Sequence, residues 1–94
     1  MVEGKTKSGI KFKIDERIKD DARFLYYLAK AQEKDIDMGE QSKAVMGVLE
    51  LVFGNGEGVI NFMNAVASTN GGVCTIDVML SELTEIFDAI KAKN

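Results

Sequence analysis

Few side chains in this 94-residue chain are equipped for covalent chemistry, and their surroundings argue against most of it. The sequence holds no histidine and one cysteine, Cys74. A cysteine nucleophile needs a base or a cation to hold its thiolate. Without histidine that partner is missing, so Cys74 reads as a small apolar residue leading into the last helix. It has no second cysteine to form an internal disulfide, and a zinc site would lack its usual nitrogen and sulfur ligands. Glu82, Glu85 and Asp88 stand three residues apart and share a helical face, the spacing of an acid pair or a cation site. With no apolar enclosure in the sequence around them, they are expected to form a solvated outer face. The segment Gly54-Asn55-Gly56-Glu57-Gly58 is rich in glycine. A phosphate-binding loop would need a Lys-Ser/Thr ending and a strand before it, and neither is present. The expectation is a chain with no catalytic, cofactor-binding or metal-ligating residues, and so not an enzyme.

What remains to carry function is apolar surface. Residues 44–53, Ala-Val-Met-Gly-Val-Leu-Glu-Leu-Val-Phe, contain one charge and no polar/apolar alternation. The non-apolar positions Lys43, Gly47, Glu50 and Gly54 follow at steps of four, three and four. They fall on one narrow helical stripe, and the rest of the circumference is apolar. The stretch is too short to cross a bilayer, which takes about 20 apolar residues. It is therefore expected to be the most buried helix, with whatever the rest of the chain leaves uncovered available to a partner or to a second copy. Met38, Met46, Met63 and Met79 are expected at core positions, and methionine also suits an adaptable docking surface. Met46, Phe53, Val59, Phe62 and Met63, around the glycine-rich joint, are the candidate partner-binding residues.

The elements that position them follow from periodicity. Ile10, Phe12 and Ile14 alternate with Lys11 and Lys13, which marks a strand with one dry face. A two-residue turn at Ser8-Gly9 would put Lys5 and Lys7 beside Ile10 and Phe12. A three-residue loop, Lys7-Ser8-Gly9 with glycine in the left-handed region, instead pairs Thr6 with Ile10 and turns Val2 inward. Asp15 is expected to cap a helix over residues 15–31 with Ile18, Ala22, Leu25 and Ala29 on its apolar face, widened by Phe24, Leu28 and Ala31. Glu33-Lys34-Asp35-Ile36-Asp37 reads as a loop. The central helix starts near Met38 and ends in a left-handed cap at Gly54-Asn55-Gly56. A shorter helix presents Val59, Met63 and Val66, with Phe62 and Ala67 beside them, and Ser68-Thr69-Asn70-Gly71-Gly72 turns the chain. Thr75 caps the last helix, where Ile76, Leu80, Leu83, Phe87 and Ile90 repeat at helical spacing. Met79 and Ile86 flank that face, and Lys91 and Lys93 suit the negative helix end. The fold expected is a single mainly α domain over residues 1–94, a hairpin (1–14) followed by four helices (15–94).

Charge bounds the partners. Residues 1–23 hold seven Lys/Arg against five Asp/Glu, and residues 24–94 hold five lysines against ten acids, for a net charge of −3. The basic start is interleaved with acids, which disfavours nucleic acid as a partner. Met1-Val2-Glu3-Gly4-Lys5 leads into a charged segment and not an apolar one, so no signal peptide is expected and the cytoplasm is the expected compartment. No membrane association is expected.

Two stretches, KTKSGIKFKIDERIKDDARFLYYLAKA and VCTIDVMLSELTEIFDAIKAKN, carry a resemblance. The hairpin Lys-Thr-Lys-Ser-Gly, the Ile-Asp leading toward a helix with Asp20-Asp21, and the final Leu-Thr-Glu-Ile-Phe helix resemble small tail assembly chaperones of long-tailed phages and prophages of Gram-positive bacteria. The resemblance covers the two ends and not the middle. It implies a non-catalytic assembly factor in the bacterial host cytoplasm. Such a factor binds the tape measure protein, keeps its apolar helices from aggregating and helps recruit the major tail protein to the tube. A homo-oligomer is a further expectation. The competing expectation is a small helical adaptor or regulatory module that binds another protein or a nucleic acid.

Overall fold

The hairpin forms with the loop that its side-chain pattern demands. Strands β1 (Val2–Lys5) and β2 (Lys11–Ile14) pair antiparallel, with Val2 opposite Ile14 and Lys5 opposite Lys11. The Thr6 N–H donates to the Ile10 carbonyl at 2.9 Å, and the Gly9 N–H donates back to the Thr6 carbonyl at 2.9 Å. Lys7-Ser8-Gly9 is thus the three-residue loop, closed by Gly9 at φ +96°, a conformation an L side chain rarely adopts. Val2, Thr6, Ile10, Phe12 and Ile14 all turn inward, as alternation requires. The computed structural model describes residues 1–54 and 56–92.

The expected single helix over residues 15–31 is corrected. Asp15 caps only a 3-10 segment, Glu16–Asp20, and the α-helix α1 covers Ala22–Ala31. Between them Asp21 sits in extended backbone (φ −74°, ψ 122°) and accepts the N–H of Arg23. The cause is a repeated local device, Asp-x-Arg. In each copy the carboxylate takes both the backbone N–H and the guanidinium of the arginine two residues on. Those bonds, the arginine side chain's first, hold the Asp15 and Asp21 carboxyls down at about 2. A side chain that satisfies backbone donors this way favours a cap over a helix interior, and so the chain restarts at Asp21.

The restart rotates α1. Its packed face is Phe24, Tyr27, Leu28 and Ala31, and Leu25 is 51% exposed with Ala22 and Ala29 also outward. Of the expected face, Ile18 and the flanking Phe24, Leu28 and Ala31 pack inward, whereas Ala22, Leu25 and Ala29 are exposed, so the α1 face is turned by about one position. Phe24 meets Phe87 edge to face at 4.5 Å. Helix α2 (Met38–Phe53) is capped by Asp37 after the expected loop, with Met38 74% exposed and not in the core as expected. Tyr27 lies over Gly47, where a Cβ would come within 2.8 Å of the ring; the glycine on the polar stripe is a close-approach site between α1 and α2. Gly54 ends α2 at φ +80°. Asn55, part of the expected cap, and Lys93, expected to favour the last helix end, lie outside the described residues. Helix α3 (Glu57–Thr69) buries Val59, Phe62 and Val66, and runs two residues into the expected turn.

Helix α4 (Ile76–Ala92), not α2, is the most buried helix: six of its 17 residues are buried against four of 16 in α2. The reason is coverage. Only Ala44, Val45, Val48 and Leu49 of the greasy stretch face the interior, while Met46, Leu51, Val52 and Phe53 stay half-buried. Thr75 caps α4, as expected, by accepting the Val78 N–H at 3.2 Å. Met79, Leu83, Ile86, Phe87 and Ile90 then carry it through the centre of the core.

The expected solvated acid face of α4 is also corrected. Glu82 is 5% exposed. The Thr6 hydroxyl donates to its Oε1 at 2.8 Å and the Ser8 hydroxyl to its Oε2 at 3.3 Å. Thr6 Oγ1 in turn accepts the Ile10 N–H at 3.2 Å. One helical turn on, Glu85 accepts the Lys7 N–H at 2.6 Å. Two acids at i and i+3 therefore hold the hairpin loop to the last helix, and of the three Asp88 alone stays exposed. Removing one partner of a buried pair strands the other, at about 1–3 kcal/mol. Thr6→Val and Glu82→Leu should each destabilise by about that much, and the double variant by clearly less than their sum. Denaturant melts of the three variants check this, and strictly additive costs would contradict it.

Candidate functional site

The five candidate residues do not form one surface. Val59 (4% exposed) and Phe62 (5% exposed) belong to the core. Met46 and Met63 are half-buried against it, and Phe53 is half-buried at the end of α2. What the structure brings together is Phe53 with Phe62, stacked at 4.5 Å between centroids with 20° between planes.

That stack floors a groove of about 500 Å³ between the hairpin loop and α3. One wall is Ser8, Gly9, Ile10 and Lys11; the other is the α3 face through Gly58, Asn61, Ala65, Ser68 and Thr69. The α3 wall was legible as a helical row of small and polar residues at steps of three and four, a face that lets another element come near. The hairpin wall was not legible, because its position depends on Glu82. Met46, Val59 and Met63 do not line the groove.

Gly58 sets how closely α2 and α3 join. A Cβ there would fall against the carbonyl oxygen of Phe53. Gly58 is thus a packing requirement at the joint, where Phe53 stacks on Phe62. A second apolar area lies on α1, where Leu25 and Tyr26 (64% exposed) face outward.

Chemically the site offers contact. Cys74 is half-buried and its thiol is pushed up by burial, which weakens it as a nucleophile. Among the described residues no group of three or more His, Cys, Asp or Glu stands close enough to hold a metal ion, and no helix is long and apolar enough to cross a membrane. No family model matches the chain, and no curated protein or solved structure matches it either.

Gly58→Ala tests the joint. Alanine favours a helix interior over glycine by about 1 kcal/mol, but here it must push against backbone, and overpacking costs about 1–3 kcal/mol. The melting temperature should fall. A rise would show that α2 and α3 are not held at the described distance.

Proposed function

We propose that this chain is a non-catalytic tail assembly chaperone that binds the tape measure protein of a long-tailed phage or prophage and aids assembly of the tail tube. The observation that carries the reading is the joint between α2 and α3. There Phe53 stays half-exposed on a stacked partner, beside a groove of about 500 Å³ with an apolar floor. A helix apolar on most of its circumference and covered on only part of it leaves side chains for another chain to bury. Met46 and Met63, half-buried on the same two helices, supply adaptable contacts for a long target of varied sequence. The resemblance of residues 5–31 and 73–94 to this class of chaperone supports the choice of partner. The host cytoplasm is the compartment such an assembly step requires.

Co-expression tests the proposal. A tape measure protein encoded beside this chain, which the reading requires, should be soluble when the two are made together and aggregate when made alone, and the complex should survive gel filtration. Phe53→Ser should weaken the complex while leaving this chain folded. Unchanged solubility with no complex would overturn the chaperone reading in favour of the adaptor reading.

A further inference from the structure

The hairpin is a sheet of two strands, and the outer edge of β2 runs into the wall of the groove. The bond from the Thr6 N–H to the Ile10 carbonyl fixes which pairs are hydrogen-bonded. By alternation, Gly4–Phe12 and Val2–Ile14 exchange backbone bonds, and Lys5–Lys11 and Glu3–Lys13 do not. The N–H and C=O groups of Lys11 and Lys13 therefore point away from β1, and among the described residues nothing pairs with them.

The side chains on this edge are as unbalanced as its backbone. Lys13 pairs with Glu3 across the strands at 3.4 Å. Lys5 and Lys11 stand directly opposite each other, an arrangement of like charges that costs stability. Among the described residues Lys5, Lys7 and Lys11 have no ion-pair partner. Lys11 lines both the groove and a shallow notch of about 490 Å³ on the outer face of the hairpin, which Lys5 also lines.

We propose that an extended segment of a partner polypeptide docks here as a third strand on β2. Its acidic side chains would face Lys11 and Lys5, and its alternate apolar ones would face the Phe53–Phe62 floor. Strand alternation dictates that pattern: a strand beside Lys11 puts successive side chains on opposite faces, one toward the lysines and one toward α3. A second copy of this chain fits poorly, because pairing two β2 edges sets lysines against lysines. Nucleic acid fits poorly as well, since the whole chain carries −3 and the hairpin's one aromatic, Phe12, is buried. The inference goes beyond the chaperone reading. It adds a strand-type contact whose test reads the edge itself, so co-expression can succeed while this fails, and the reverse.

The probe is a short capped peptide alternating Glu and Val, with its Lys-for-Glu counterpart as control, added to the full chain. Hydrogen exchange of the Lys11 and Lys13 amides, followed by NMR, should slow about tenfold at a Glu–Val concentration ten times its Kd. The Lys–Val peptide should leave them unchanged. Lys11→Glu should abolish the response to Glu–Val and create one to Lys–Val. Four results would each overturn the proposal: no binding at millimolar peptide, binding that leaves both amides unprotected, equal response to the two peptides, or displacement of the peptide by oligothymidylate. Protection of both amides without peptide, rising with protein concentration, would assign the edge to a second copy and overturn it too.

Discussion

Glu82 places a carboxylate where almost no water reaches it, so its oxygens must take their hydrogen bonds from the protein. The donors come from the other end of the chain, from the hydroxyls of Thr6 and Ser8. Thr6 can donate to Glu82 and accept from the Ile10 N–H only when the hairpin loop has its three-residue geometry. A single buried side chain on α4 therefore reinforces the loop geometry that alternation and Gly9 already set, and it docks the hairpin on the helix. A two-stranded hairpin is marginal in water without such support. Burying the carboxylate costs solvation, which its donors offset only as a complete set.

The groove depends on the same constraint. Its hairpin wall, Ser8 to Lys11, begins at the residues tied to Glu82 and Glu85. The opposite wall is held by Gly58, which lets α3 start against the Phe53 carbonyl. Two independent devices, a buried polar set and a close backbone approach, thus fix the distance between β2 and α3. The apolar floor lies between them.

Much of this fold could be read from residue spacing, and the failures share one origin. Hairpin register, the Thr75 cap and the α4 core face follow from alternation and helical period, which are local. The restart at Asp21 does not follow from Asp15, which is a sufficient cap by itself; its local signal is the second Asp-x-Arg, Asp21 with Arg23. Glu82 and Glu85 looked solvated because their partners lie more than 70 residues away. The stretch 44–53 looked central because its composition is extreme, yet burial depends on neighbours as well as on side chains. For the candidate site, Phe53 and Phe62 were legible as large apolar residues flanking a joint. The wall of Ile10 and Lys11 required the tertiary bond to α4.

Native-state hydrogen exchange tests the claim that the buried carboxylate makes hairpin and helices one cooperative unit. The amides of Thr6, Lys7 and Ile10 are the ones to follow against those of Leu83, Ile86 and Phe87 in α4. If Glu82 binds the first element to the last, the two sets exchange with the same free energy and the same denaturant dependence, through global unfolding. Hairpin amides that exchange through a local opening, well below the α4 value and insensitive to denaturant, would contradict it.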